Sequence, residues 1–244
     1  MPAPPLGRRV LMAAGLGCLA AASLALWVQS RLGTRPTQSL VSVTVFSLMI
    51  AVALVAMRGH HPFPYFGAAN WVTMLRGVFV AVAASLILEP ASAPVAWLLV
   101  ALTATVTLLD GVDGWLARRT RMSSVFGARF DLEIDAFFML VLSLAVWRHD
   151  KAGAWVLAIG LMRYAFVAAG WLWPWVSRPL RSTWRGKAVA VGQFAGLGLA
   201  LLPVVPAPVT RVAPAAALAA LAWSFASDVW FLYKQRARLE GRAL

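Results

Sequence analysis

Five of the chain's nine carboxylates fall between Asp110 and Asp135. Asp110, Asp113, Gly114, Ala117 and Arg118 stand at i, i+3, i+4, i+7 and i+8, so on a helix they share one face. Gly127, Asp131 and Asp135 stand at i, i+4 and i+8, and share a face of a second helix. A short basic stretch, Arg119 to Phe126, joins the two. It lets them run antiparallel and bring two carboxylates each to one cavity. Such a set, without His or Cys, is a hard oxygen site for Mg²⁺, Mn²⁺ or Ca²⁺ rather than zinc. It has room for two ions ~4 Å apart, the arrangement that clamps phosphoryl oxygens. Gly114, Ala117 and Gly127 have almost no side chain, so a ligand or a neighbouring helix can come close. The plainer alternative makes the acids structural partners of arginines and the small residues helix contacts. That accommodates one or two acids, but not a cluster at the ends of two successive helices.

The elements that hold these residues are apolar. Of 244 residues, 61% are hydrophobic and 13% are charged, against about half and about a quarter in soluble domains. Disorder is excluded, and so is a soluble domain of ordinary composition. Runs of the ~20 residues needed to cross a bilayer lie at 10–28, 40–57, 77–89, 95–117, 127–147, 152–174, 188–204 and 211–232. The third is short and continues a cytoplasmic interfacial helix that begins near Phe66. The expected fold is all-α, a polytopic membrane bundle of about eight transmembrane helices. Arg8-Arg9 and the small residues from Ala20 to Ser23 also resemble a secretory signal. The apolar run continues through Val28, which favours a retained helix. The lone Cys18 excludes an intramolecular disulfide. The net charge of +13 belongs at membrane surfaces, because there is no soluble domain in which to bind nucleic acid. With the N-terminus inside, the outer side holds only Arg31, Arg35, Arg148, Lys151 and Arg211 of 22 basic residues, and Arg163 lies within a span. That asymmetry puts both termini in the cytoplasm, with the acids at the cytoplasmic ends of their spans.

The segment Asp110-Gly-Val-Asp113-Gly114-Trp-Leu-Ala117-Arg118, then eight residues, Gly127, three residues, Asp131, three residues and Asp135 resembles the signature of the CDP-alcohol phosphatidyltransferases. Every fixed position of D-x-x-D-G-x-x-A-R-x8-G-x3-D-x3-D is matched without a spacing error. Asn70-Trp-Val-Thr73-Met-Leu-Arg76 is similar to the N-x-x-T-x-x-R that the family carries on an interfacial helix before its first core span. The longer-spaced choline-transferring branch is a poorer match. The resemblance implies a six-helix core in residues 65–244, preceded by a two-helix extension in 1–64. It implies phospholipid biosynthesis: transfer of a phosphatidyl or related group from a CDP-linked lipid such as CDP-diacylglycerol to an alcohol, releasing CMP. Asp110, Asp113, Asp131 and Asp135 would form the metal site, with Asp135, beside the metals, also serving as general base. Two Mg²⁺ or Mn²⁺ ions are implied, as are a homodimer and a bacterial inner-membrane location. Asn70, Thr73, Arg76, Gly114, Ala117, Arg118 and Gly127 would line the CDP-donor site. Interfacial capping by Asn70 and Thr73 and a snorkelling Arg76 are their plain alternatives.

The acceptor is less sharply marked. Arg163 in mid-span, and Arg178, Arg181, Arg185 and Lys187 before the seventh span, suit an acceptor with its own phosphate, such as glycerol 3-phosphate. Arg163, Arg181 and Lys187 are its candidate contacts, although positive-inside topology explains the loop charges equally. Serine, inositol and a phospholipid hydroxyl stay open as acceptors. Glu133, two residues past Asp131, points away from the cluster and pairs with a cation, for which Arg163 is the candidate. Asp228 bonds a neighbouring helix or a Trp. His60-His61 beside Pro62 are ordinary interfacial residues. A cation transporter is the competing class, but ion sites in transporters lie at broken helices near the midplane, often between inverted repeats, and no repeat is visible. Single cysteines at Ser123 and Ser92, in a Cys18→Ser background, should label from the cytoplasmic and the opposite side respectively. Labelling of Ser123 only from outside would reverse the topology.

Overall fold

A computed structural model describes residues 6–57, 67–120, 124–178 and 183–240. Its helices are α1 (Leu6–Leu32), α2 (Thr37–Met57), α3 (Ala68–Leu86), α4 (Ala93–Arg119), α5 (Val125–Arg148), α6 (Leu157–Leu172), α7 (Trp184–Leu201) and α8 (Ala207–Glu240). There is no strand among the described residues. Each expected apolar run overlaps one of these helices. Leu11–Leu32, Ala68–Leu86, Ala93–Arg119, Ala154–Leu172 and Ala207–Arg236 are long and apolar enough to cross a membrane, and Thr37–Ala53 is apolar but shorter. The first half of α5 carries Arg129, Asp131, Glu133 and Asp135, and α7 begins with Arg185 and Lys187, which shortens their apolar stretches. Large apolar side chains face outward along the helices: Leu19 is 66% exposed, Leu108 73% and Trp171 82%. In water such a surface would drive association; in a bilayer it is the solvated face. The fold is a polytopic helical membrane bundle.

The expected interfacial segment and the third span form one helix, as the sequence implied. Residues 68–76 are the first half of α3, continuous with the span. Gly67 precedes α3 at φ 81°, a conformation open mainly to glycine. Glu89-Pro90 follow its end, and Ser92, in extended conformation, opens α4 with Pro94 in the first turn. At the other end of the chain α8 is longer than expected and runs through Pro214.

The chain forms two compact units, Met1–Val141 and Leu142–Leu244. In the first, α3 packs on α1, α2 and α4. Phe46 of α2 is fully buried. A Cβ at Gly17 of α1 would stand 2.2 Å from its ring, and a Cβ at Gly77 of α3 would stand 3.6 Å from it. One aromatic ring thus fills the junction of three helices, admitted by two glycines. Ser42 of α2 donates a hydrogen bond to Ser85 of α3 at 2.9 Å. Buried Glu89, just past α3, accepts the backbone N–H of Arg35 between α1 and α2 at 3.1 Å. Polar ties of this kind resist sliding between apolar helices. In the second unit α7 packs on α8. A Cβ at Gly196 would meet Ala217 at 3.1 Å and the Ala213 carbonyl at 3.2 Å. Buried Gln193 donates to the Ala217 carbonyl at 2.8 Å.

The Phe46 contact gives a stability test. Gly17→Ala inserts a methyl where the ring already stands, and overpacking of this kind costs about 1–3 kcal/mol. It should lower the melting temperature in detergent. Phe46→Leu should recover part of that loss in the double variant. Gly15→Ala, with nothing within 4 Å of the new Cβ, should leave the melting temperature unchanged.

Candidate active site

Asp110 and Asp113 lie near the C-terminal end of α4, and Asp131 and Asp135 lie in the first half of α5. Their convergence is visible at one side chain. Arg76 of α3 is wholly buried, and its guanidinium is ion-paired with all four carboxylates. Nη1 lies 3.0 Å from Asp110 and 2.7 Å from Asp113, and also contacts Asp131. Nη2 contacts Asp135. Thr73, one turn before Arg76, shares its hydroxyl proton between the Ala69 carbonyl at 3.1 Å and Asp113 at 3.0 Å. The helical spacing of Asn70, Thr73 and Arg76 therefore does as much to shape the cluster as the spacing of the acids.

A cavity of about 200 Å³ adjoins the cluster. It is lined by Asn70, Thr73, Asp113, Gly114, Ala117, Arg118, Gly127 and Asp131, together with Ala69, Ser124 and Ala128. The small residues shape it directly. A Cβ on Gly127 would stand 2.9 Å from the Asn70 Oδ1 and 3.2 Å from the Ser124 Oγ. A Cβ on Gly114 would meet only the tip of Arg118, at 3.3 Å. Ser124 was not foreseen. Its hydroxyl accepts the Gly127 N–H at 2.9 Å, and a serine just before a helical run is the signal that marks such a role.

Arg76 is not among the residues lining the cavity; it lies against the acids instead. Glu133 is exposed and stands outside the acidic trio, as its spacing implied. In the second unit, Asp228 of α8 pairs with Arg185 of α7 at 3.6 Å. Arg163 is half-buried on α6, and Lys187 is exposed in the first turn of α7. Arg181, His60, His61 and Ser123 lie outside the described residues.

The donor set fits a divalent cation. One carboxylate oxygen from each of Asp110, Asp113 and Asp131 lies within 4.8 Å of the others. Oxygens about 2.0–2.6 Å from a common Mg²⁺ or Ca²⁺ can be so spaced. Four carboxylates facing one guanidinium leave an excess of negative charge when ionised, and that attracts a cation strongly in an apolar bundle.

The family model for CDP-alcohol phosphatidyltransferases matches residues 66–228, and the chain belongs to that family. No curated protein and no solved structure gives a significant match. The protein is an integral membrane transferase of a family that moves a phosphatidyl group from a CDP-alcohol to an acceptor and uses divalent metal. The matched residues include the whole cluster and the whole cavity lining. Gly127→Ala should push the Asn70 amide into the cavity and weaken CDP binding by roughly tenfold, about 1.4 kcal/mol. Gly114→Ala should leave the melting temperature unchanged, since only a flexible side-chain end has to move. Isothermal titration with CDP and a thermal melt of each variant check both outcomes.

Proposed function

We propose that this CDP-alcohol phosphatidyltransferase takes the phosphatidyl group of a CDP-linked lipid, such as CDP-diacylglycerol, and passes it to a polar alcohol. The site would face the cytoplasm, in a membrane such as the bacterial inner membrane; the bias of basic residues to one side supports that orientation. Residues 65–244 would carry the chemistry and residues 1–64 would form an extension packed against α3.

The observation that carries this reading is how the acids divide over one guanidinium. Asp110, Asp113 and Asp131 gather at Nη1, while Asp135 sits at Nη2. Three clustered carboxylates suit a metal-holding role, with Asp135 beside them. Bound there, two Mg²⁺ or Mn²⁺ ions would neutralise the donor's pyrophosphate and the charge that develops on CMP. Asn70, Thr73, Gly114, Ala117 and Gly127 would give the nucleotide a close-fitting wall. Arg118 would turn its planar fork to the pyrophosphate oxygens. Asp135 would accept the proton of the acceptor hydroxyl as that oxygen bonds to the phosphatidyl phosphorus. The bond from that phosphorus to the bridging pyrophosphate oxygen breaks, and its electron pair leaves with CMP.

For the acceptor we favour a phosphorylated polyol such as glycerol 3-phosphate. Basic side chains usually gather at helix C-termini, where they complement the dipole. Arg185 and Lys187 instead stand in the first turn of α7. They add to its positive end and suit a phosphate. Arg163 and Arg181 would complete the contacts, and a second copy of the chain would complete a homodimer.

Purified protein, labelled CDP-diacylglycerol, Mg²⁺ and a panel of alcohols should yield CMP and a new lipid, with glycerol 3-phosphate the best acceptor. Activity should vanish in EDTA and return with Mg²⁺; full turnover in chelator would overturn the metal role. Asp135→Asn should lower transfer by about 10³-fold yet keep metal-dependent CDP binding, whereas Asp110→Asn or Asp131→Asn should weaken that binding itself. Substantial transfer by Asp135→Asn at neutral pH would remove it as the base.

A further inference from the structure

The geometry points to Arg76 and a divalent cation as alternative occupants of the same carboxylate trio, so that Arg76 must leave for metal to bind. This rests on the metal-assisted transfer proposed above and adds how that site is held before loading. Three observations carry it. The Arg76 side chain has no exposure at all. Its Nη1 is ion-paired with Asp110, Asp113 and Asp131, the same three residues that each offer a carboxylate oxygen within 4.8 Å of the others. Its Nε is buried and has no hydrogen-bond partner among the described residues. A dication drawn to those three oxygens meets Nη1 among them. Like charges that close, in an apolar bundle, repel too strongly to share the space. The unpartnered Nε shows a side chain placed by the acids at its tip rather than by a complete polar cage around it.

The direction of release follows from the helix. Asn70 and Thr73, six and three residues before Arg76 on α3, line the adjoining cavity. A guanidinium that leaves the trio toward that cavity stays within an apolar bundle and needs an anionic partner there. The pyrophosphate or phosphate of a nucleotide is such a partner, and the guanidinium fork suits it. Arg76 would thus hold four acids together in the metal-free protein and become a phosphate contact in the loaded one. By linkage, metal and nucleotide then each raise the other's affinity.

The test reads metal binding rather than turnover. Full-length protein in detergent is titrated with Mn²⁺ by electron paramagnetic resonance, with and without CDP. Wild type should bind Mn²⁺ more tightly when CDP is present. Arg76→Gln should bind Mn²⁺ at least ~10-fold more tightly than wild type without CDP, and should lose most of the gain from CDP. Arg76→Lys should fall between them. A wild-type measurement needs no variant to fold: phenylglyoxal labelling of Arg76, read by peptide mass spectrometry, should be negligible without metal, rise with Mg²⁺ and fall again with CDP. Equal or weaker Mn²⁺ binding by folded Arg76→Gln, or unchanged Arg76 labelling on adding Mg²⁺, would overturn exclusion and leave Arg76 a permanent structural counter-ion. Asp131→Asn separates the two proposals. If wild type binds Mn²⁺ and Asp131→Asn does not, the metal site stands whatever Arg76 does. If neither wild type nor Arg76→Gln binds Mn²⁺, both proposals fall.

Discussion

Four ionised carboxylates cannot be gathered in an apolar bundle without a cation among them. Each ionised acid costs several kcal/mol to desolvate, and unpaired acids placed together repel one another as well. Here the cation is the Arg76 guanidinium, the one basic group among the described residues that touches all four. The placement of α3, α4 and α5 follows from that need. The helix carrying Arg76 must lie where both acid-bearing helices can reach it. Gly77, the next residue, leaves room for neighbours on that helix: a Cβ there would be 3.4 Å from Ile134 of α5 and 3.6 Å from Phe46 of α2. Buried ionic groups are weak evidence for stability. Their number and convergence here point to chemistry as the reason they are kept.

The same need gives the first two helices a role as packing partners. α3 carries Asn70, Thr73 and Arg76 on one face, and a small shift along its axis would move all three against the acids. Phe46, the Ser42–Ser85 bond and the contact from Arg35 N–H to Glu89 tie α3 to α1 and α2 along its length. Such ties select one register among several of similar apolar packing. The extension therefore bears on the site through α3, although every residue lining the cavity lies beyond residue 64.

Much of this was legible in the sequence, because membrane helices leave strong marks. Apolar runs and proline breaks located the eight α-helices of the described residues. Spacing alone put Asp110 with Asp113, and Asp131 with Asp135, and correctly left Glu133 out. Helix ends were harder: α8 passes through Pro214 and runs on past the expected span. Hydropathy marks where a chain meets lipid, and a helix can extend past that point at either end. The position of Arg76 could not be read from composition. An arginine three residues after a threonine fits a lipid-facing snorkel, a donor contact and a buried counter-ion equally well. Only packing that sets α3 against two acidic helices distinguishes them. Ser124, by contrast, carried a local signal, a serine just ahead of a helical run, and its hydroxyl accepts the Gly127 N–H three residues on.

The second unit shows where spacing arguments weaken. Its basic residues follow no strict helical repeat, and positive-inside topology would place many of them near α7 in any case. The structure adds a constraint that topology does not supply. Arg185 and Lys187 occupy the first turn of α7, where Thr183 accepts the Gly186 N–H at 3.1 Å. Positive side chains there add to the dipole instead of opposing it. The Asp228 carboxylate relieves Arg185 only at 3.6 Å, and exposed surface pairs of that kind contribute little. No acid stands in the first turn to offset Lys187. A helix start left positive in this way is stabilised by an anion, and a phosphate supplies more acceptor oxygens for it than a carboxylate does.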